Sequence, residues 1–247
     1  MIALGRIFFR LRNALFTAVL IFAVFVCTPH YTLGDPRLDA WMDALGAVIA
    51  LAGLAVRALT IGYEYIVRGG RNRQVYADQL VQRGVYAHTR NPMYLGNGLI
   101  IVGCALIVNA PHFYLVVLPF TALAYASIIA AEEFYLRDKF GVEFDAYCAR
   151  VNRILPRLSG FGVSTEGMRF NWRRLLVKDY NTLFLGVVAI VGLAWWDDWR
   201  IQGTTMLPTV AQALAFVIPW ALLYLVVWGL KKTRRLEAER PEREQTA

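Results

Sequence analysis

The stretch that decides the fold is YLGNGLIIVGCALIVNAPHFYLVVLPFTALAYASIIAAEE, residues 94–133. It contains two apolar runs, 94–108 and 113–131, separated by the short sequence NAPH at 109–112, which reads as a turn. A straight helix needs about 20 apolar residues to cross a bilayer core, so the second run is long enough and the first is short. The pattern predicts a tight helical hairpin whose two outer ends return to the same membrane face.

Further apolar runs lie on both sides of this hairpin, at 7–27, 45–66, 183–196 and 206–230. Hydrophobic residues make up 57% of the 247 residues and charged residues only 18%, which is well above the apolar share of a soluble globular protein. We therefore predict an all-α, polytopic membrane bundle of about six transmembrane helices. Five helices are the alternative, because the short runs could be re-entrant.

The basic residues predict the orientation. The chain carries a net charge of +8, and in a six-helix arrangement nearly all of its 26 Lys and Arg fall on one side. The positive-inside rule then puts both termini and both long polar stretches in the cytoplasm, most simply at the plasma membrane of a bacterium. Topology explains the basicity, so we predict contact with membrane lipids and no nucleic-acid partner. The run 7–27 lacks a small-x-small cleavage site and is interpreted as a retained anchor.

The chain is predicted to have three parts. Residues 1–66 form two N-terminal helices, 67–160 form a core, and 161–247 hold a linker, two further helices and a basic tail. The last two helices are given a packing or oligomerisation role, and the oligomeric state is left open. The three Cys and three His are scattered and match no metal-ligand spacing, so no metal site is predicted.

The first motif that could carry chemistry is GVYAHTRNPMYLGN, residues 84–97. Asn91 before a proline is biased away from helix, while Pro92 suits a first helical turn, so the chain enters the membrane through a fixed turn. Such a helix N-terminus favours a carboxylate or phosphate, and Tyr86 and Tyr94 add aromatic faces and hydroxyls. The alternative is a capped helix with interfacial tyrosines.

The second motif is EEFYLRDKFG, residues 132–141, at the inner end of the hairpin's second helix. Two adjacent carboxylates at the edge of hydrocarbon need cationic or hydrogen-bonded partners, and a bound cation would serve. The alternative is a solvated helix end in which Glu133 pairs with Arg137 at i+4. That alternative explains Glu133 better than Glu132, which lies about 100° further round the helix.

Arg57 is a charged residue within an apolar run, where it costs about 2.5 to 3.5 kcal/mol on insertion scales. An ion pair with an acid of another helix and a ligand contact are both open. Glu64, two helical turns further along, is too far for a direct bond.

Over about 57–156, the chain resembles the isoprenylcysteine carboxyl methyltransferase and phospholipid methyltransferase superfamily. The resemblance is carried by the order of its motifs: GVY, RNPMYLG, a helical hairpin, EE with Leu and FG, and then Tyr, Val, Arg and Pro. The resemblance implies S-adenosyl-L-methionine bound at the cytoplasmic helix ends and a lipophilic or small-molecule methyl acceptor. Carried over by position, it implies a cofactor site of Leu80, Val81, Tyr86, Asn91, Pro92, Met93, Tyr94 and Glu132. The catalytic residues remain unassigned, with Arg90 and Glu133 as candidates.

Two positions depart from the pattern of the superfamily. Asn91 stands where the common form has His, which removes a titratable ring, and Ile128 stands where eukaryotic isoprenylcysteine enzymes have Arg, which disfavours a prenylcysteine acceptor. Sterol-type reductases, which bind NADPH, are similar in the same segment, but Asn97 lies where they would have Asp. A non-catalytic membrane assembly protein is the third alternative, and oxygen, nitrogen and sulfur acceptors all remain open.

Overall fold

The computed structural model describes residues 1–11, 26, 28–64, 77, 79–202, 210–233 and 236. Its regular elements in this part of the chain are all helical, without a strand. The helices are α1 (2–11), α2 (Pro36–Tyr63), α3 (Pro92–Val108), α4 (Leu118–Phe140), α5 (Val142–Arg150), α6 (Phe161–Ser164), α7 (Trp172–Gln202) and α8 (Val210–Lys232). Two 3-10 turns, Thr32–Gly34 and Gly84–Ala87, precede α2 and α3, and a π-helical turn, Phe113–Val117, leads into α4.

Within the described ranges, four helical stretches are long and apolar enough to cross a membrane: Pro36–Tyr63, Phe113–Phe140, Trp172–Ile201 and Leu214–Lys232. The predicted all-helical membrane class is therefore confirmed. Helix α3 has 17 residues and is short, as its sequence predicts. The first predicted run, 7–27, lies largely outside the described residues, so the count of six spans stays a prediction.

Two predicted helix starts were too late. Helix α2 begins at Pro36 rather than at residue 45, because the Asp35 side chain accepts a hydrogen bond from the Arg37 N–H and the proline fits the first turn. Helix α7 begins at Trp172, so the run 183–196 is the middle of a long helix and is not short. Its polar first turns were assigned to a loop because they carry charges, but one of those charges, Asp179, is buried against α2.

Helices α2 and α3 approach each other through two pairs of glycines. A Cβ atom built on Gly53 would lie 2.5 Å from the Gly96 carbonyl oxygen, and one built on Gly46 would lie 2.6 Å from the Gly103 carbonyl oxygen. Seven residues separate the two glycines on each helix, so both contacts fall on the same face, two turns apart. Small residues at these positions let membrane helices pack backbone to backbone.

Replacing one of these glycines should separate the two helices. In Gly96→Ala the new methyl would lie 2.6 Å from the Arg57 Cγ and 2.8 Å from the Gly53 carbonyl oxygen, so we expect a loss of about 1 to 3 kcal/mol. Thermal unfolding in detergent measures this loss. Gly98→Ala is the matched control on the same helix, because no described atom outside the helix's own neighbouring backbone lies within 4 Å of its Cβ. Equal melting temperatures for the two variants would contradict the close packing.

The C-terminal ends of α2 and α4 and the N-terminal ends of α3 and α7 meet at one side of the bundle, here called the site end. The Asn171 N–H donates to the Gly62 carbonyl at the end of α2, and the Arg90 N–H donates to the Asn152 carbonyl ahead of α3. At the opposite end, the Asn109 side chain donates to the Thr32 hydroxyl at 2.7 Å. The two polar stretches thus meet in space, as the hairpin predicts.

Helix α8 lies at the periphery. Its described contacts with α7 include Trp220 and Tyr224, whose rings lie 4.8 Å and 5.5 Å from the Phe184 ring. Trp220 Nε1 also donates to the Phe184 carbonyl, and the Tyr224 hydroxyl donates to Asn181 Oδ1. Most apolar residues of α8 are exposed. An apolar helix exposed on most sides faces lipid in a membrane. The candidate chemistry is therefore confined to the site end of the other spanning helices.

Candidate functional site

The first motif forms a turn that delivers the chain into α3. A 3-10 turn, Gly84–Ala87, is followed by Asn91 with φ −128° and ψ 55°, and Pro92 occupies the first helical turn. This is the helix start that the Asn-Pro pair predicts. The Asn91 side chain forms no capping hydrogen bond and the first turn of α3 contains no acidic residue, so no carboxylate of this turn occupies the helix N-terminus.

The two motifs meet at a single hydrogen bond. The Tyr94 hydroxyl donates to Glu132 Oε1 at 2.7 Å, and Glu132 is only 8% exposed. The Tyr94 ring also lies 5.4 Å from the ring of Tyr125, about two turns before Glu132 on α4. Among the described residues, Tyr94 is the sole hydrogen-bond partner of Glu132, and no Lys or Arg lies within ion-pair distance of it. A buried carboxylate is therefore held by one neutral donor.

The neighbouring acid, Glu133, has a different environment. Its Oε2 lies 3.0 Å from Arg153 Nε, and its Oε1 lies 3.3 Å from Asn91 Nδ2 and 3.4 Å from Arg90 Nε. The contact with Arg90 is an ion pair without hydrogen-bond geometry. Glu133 is thus the centre of a charge cluster that fastens α4 to the turn before α3.

The pairing of Glu133 with Arg137, given above as the alternative to a bound cation, does not form. Arg137 Nε instead donates to Asp145 Oδ1 at 2.8 Å, across the turn at Gly141 that separates α4 from α5. Both side chains of that pair are more than half exposed. Glu133 faces the opposite way because two arginines and an amide from distant parts of the chain reach it.

The turn is fixed from outside by the segment that follows α5. Four consecutive residues, 88–91, bond with backbone groups of 152–157. The bonds are Arg90 N–H to the Asn152 carbonyl at 2.9 Å, Asn91 Nδ2 to the Arg153 carbonyl at 3.1 Å, Thr89 Oγ1 to the Ile154 carbonyl at 2.9 Å, and Arg157 N–H to the His88 carbonyl at 3.1 Å. The turn therefore has an imposed shape and does not depend on its local sequence alone.

His88 extends this contact to α6. Its Nδ1 lies against the Arg157 carbonyl, its Nε2 lies 2.8 Å from the Ser164 hydroxyl oxygen, and its ring packs on Phe161. In sequence, this histidine is one of three that lie far apart. Its partners lie about 70 residues away in sequence, so no local spacing could have indicated them.

The remaining predicted site residues lie at different distances from this centre. The Tyr86 carbonyl accepts from the Tyr147 hydroxyl at 2.7 Å, and Leu80 packs on the apolar cluster around Tyr147 and Leu136. Val81 and Met93 are half-buried. The structure thus joins Asn91, Tyr94 and Glu132 at the mouth of α3, with Tyr86 and Leu80 in an adjoining apolar cluster.

Arg57 forms the ion pair with another helix that was one of its two predicted interpretations. Its guanidinium donates to both carboxylate oxygens of Asp179 on α7, to the side-chain Oδ1 of Asn97 on α3, and to the Thr182 hydroxyl at 3.2 Å. Arg57 and Asp179 are 7% and 4% exposed. This network ties α2, α3 and α7 together one turn above Tyr94, and Glu64 takes no part in it.

Glu64 and Cys148, near the site end, have pKa values above their ordinary ranges. Burial raises the pKa of Glu64, with Arg174 and Arg83 opposing the shift, and burial also raises the pKa of the Cys148 thiol. A raised carboxyl pKa means that the stabilisation from Glu64 is present at low pH and is lost as pH rises through its folded pKa. The Cys148 thiol is correspondingly a poor nucleophile near neutral pH.

Residues 44–143 match the family model described as phospholipid methyltransferase. This stretch, less than half of the chain, is similar to that family. It contains α3, α4, both motifs and Arg57, and the resemblance predicted from the motifs is confirmed. The segment 152–157 and Asp179 lie outside the matched stretch, although both bond to residues within it.

Three relatives illustrate the similarity. The nickel-cobalt-cadmium resistance protein NccN of Alcaligenes xylosoxydans xylosoxydans is 30% identical over 123 residues, which cover 50% of this chain and 55% of that protein. A probable protein-S-isoprenylcysteine O-methyltransferase of Oryza sativa subsp. indica is 28% identical over 166 residues, 59% of this chain and 82% of that protein. The cobalt-zinc-cadmium resistance protein CzcN of Cupriavidus metallidurans is 29% identical over 163 residues, 64% and 71% of the two chains.

The match thus spans little more than half the length of the first relative. No solved structure matches the chain significantly. The family match and the isoprenylcysteine O-methyltransferase relative make the chain similar to methyltransferases, and its described residues include four apolar helices of spanning length.

Proposed function

We propose that the chain transfers a methyl group from S-adenosyl-L-methionine to a lipophilic or membrane-associated acceptor at the cytoplasmic face. The observation that carries this proposal is Glu132, a buried carboxylate whose hydrogen-bond partner among the described residues is the neutral Tyr94. A buried charge needs a compensating one, and a cationic ligand would provide it.

The groups around Glu132 fit the chemistry of this cofactor. Its sulfonium and ammonium are cations that suit the Glu132 carboxylate, and the rings of Tyr94 and Tyr125 could each stabilise a cation by about 0.5 to 2 kcal/mol. Its carboxylate suits the N–H groups in the first turn of α3, beyond Pro92. The bound cofactor would supply an electrophilic methyl group.

The chain's own contribution to such a transfer is binding and orientation. An acceptor lone pair forms the new bond to the methyl carbon while the carbon–sulfur bond breaks, and the sulfur keeps that electron pair as a neutral thioether. This in-line displacement needs alignment and exclusion of water rather than a protein nucleophile. Arg90 and Glu133, the catalytic candidates, lie 3.4 Å apart within the charge cluster, so we assign them to holding Asn91 and the turn.

The proposed orientation rests on charge. The segment between α5 and α7, at the site end, is rich in arginine, and basic residues next to spanning helices favour the cytoplasmic side. The buried Ile128, 1% exposed, stands where the prenylcysteine enzymes have Arg, which supports an acceptor other than prenylcysteine.

Calorimetric titration of the purified protein tests the cofactor. We expect S-adenosylhomocysteine, the product form, to bind and NADPH not to bind. Binding of NADPH alone would replace the proposal with the sterol-type reductase alternative, and binding of neither would favour an assembly role. Incubation with labelled S-adenosyl-L-methionine, followed by mass spectrometry of the lipid extract, would then identify the acceptor.

A further inference from the structure

The segment between α5 and α7, residues 151–174, lies at the membrane surface. Its residue Asn171 donates to the Gly62 carbonyl at the end of α2, and its residue Arg157 donates to the carbonyl of His88, four residues before α3 begins. Its last residues start the apolar helix α7. Because its two halves bond to the ends of spanning helices, the whole segment is held at the level where those helices enter the membrane.

This surface segment exposes large apolar side chains. Leu155 is 75% exposed, Leu158 88%, Val163 78% and Trp172 68%. Single exposed apolar residues are ordinary, but four within 18 residues mark an interaction surface. Side chains of this kind lose their contact with water when they insert at the boundary between headgroups and acyl chains.

The charge of the surface segment is strongly positive. It contains five arginines and one acidic residue, Glu166. Arg153, Arg157, Arg169 and Arg173 are exposed, as is Glu166. Basic residues beside exposed apolar ones are typical of segments that lie on an anionic lipid surface.

We propose that the surface segment binds anionic phospholipid headgroups of the leaflet in which α3 begins. Leu155, Leu158 and Val163 insert into the interfacial layer, and the exposed arginines contact headgroup phosphates. The position of the segment at the helix ends, its exposed apolar side chains and its positive charge all fit anionic lipid. A soluble protein partner would not require the segment to lie at the level of the helix ends. The proposal does not depend on methyl transfer.

Lipid contact of this kind acts directly on the candidate site. The backbone of 152–157 holds residues 88–91, so a segment steadied by headgroups also steadies Asn91 and the start of α3. The site would then be best formed when an anionic leaflet is present.

A nitroxide label measures the depth of the surface segment. Leu158→Cys is labelled in the full-length protein with Cys27, Cys104 and Cys148 replaced by Ser, and the protein is reconstituted in phosphatidylcholine vesicles with phosphatidylglycerol. We expect dissolved oxygen, which concentrates in the bilayer, to increase the relaxation rate of the label at 158. A water-soluble nickel complex should have little effect on it. The matched control, Glu166→Cys, should be open to nickel. Equal nickel access at the two positions would overturn the proposal.

Neutralising three arginines tests the headgroup contact. In Arg157→Gln/Arg169→Gln/Arg173→Gln, which leaves the charge cluster at Glu133 intact, we expect the association of spin-labelled phosphatidylglycerol relative to phosphatidylcholine to fall about five-fold or more. Unchanged lipid selectivity would refute the assignment. If the triple variant fails to fold, the comparison of the labels at 158 and 166 decides alone.

Discussion

Glu132→Gln is expected to weaken binding of S-adenosyl-L-methionine by about 1 to 3 kcal/mol, or about 5- to 150-fold in Kd. The change removes the charge and keeps the size of the side chain, and the amide oxygen can still accept from the Tyr94 hydroxyl. A loss of affinity therefore reports a missing cation contact rather than a broken hydrogen bond. Calorimetry with the cofactor and with S-adenosylhomocysteine shows which cation Glu132 contacts. The product keeps the ammonium group but has a neutral sulfur. Loss of a sulfonium contact would weaken binding of the cofactor alone, whereas loss of an ammonium contact would weaken binding of both molecules.

Two other carboxylates of α4 serve as controls. Asp138 lies on the exposed side of the helix, so Asp138→Asn should leave the Kd of the cofactor and the melting temperature unchanged. Glu133→Gln loses its ion pairs with Arg153 and Arg90, so it should lower the melting temperature and affect affinity less than Glu132→Gln. If Glu132→Gln and Asp138→Asn bind the cofactor alike, Glu132 has no cationic ligand and the proposed site is wrong.

Asp179→Ala should be among the most destabilising single changes in the chain. It leaves the Arg57 guanidinium buried among α2, α3 and α7 without its acid, and breaking a buried ion pair from one side costs about 3 to 5 kcal/mol. Thermal unfolding in detergent, followed by helical circular dichroism, measures the loss. The expected result is a much lower melting temperature than that of the wild type.

The double variant Arg57→Met/Asp179→Leu distinguishes a charge effect from a packing effect. Replacing both partners by apolar residues of similar volume leaves no buried charge, so the melting temperature should recover most of the loss. Lys178→Ala, next to Asp179 but exposed, is the control for helix α7. A double variant as unstable as Asp179→Ala would show that the pair matters for shape rather than for charge.

The features that the sequence predicts are local. The start of α3 at Pro92 depends on the residues at the turn itself, and the hairpin of α3 and α4 depends on a short break between apolar runs. Together they bring Tyr94 and Glu132 to one end, because the hairpin returns the chain to the face that it left. The contact between these two residues is therefore a consequence of helix length and direction.

The features that the sequence does not predict depend on which way a side chain faces. A spanning helix is apolar all round, so its periodicity does not show which face meets a neighbour. Glu133 was paired with Arg137 by the i+4 rule, whereas its partners Arg90 and Arg153 come from other elements. Asp179 was assigned to a polar loop, since nothing local indicates that Arg57 lies opposite it.

The shortness of α3 determines how deep the site lies. Seventeen residues rise about 25 Å, against a hydrocarbon core of about 30 Å, and the far end of α3 is fixed by the bond between Asn109 and Thr32. This hydrophobic mismatch draws the mouth of α3 a few Å below the acyl boundary, or thins the leaflet around it. Tyr94 and Glu132 then lie within reach of the acyl chains, so a lipid acceptor, as in the proposed function, would meet the polar methyl donor without leaving its own leaflet.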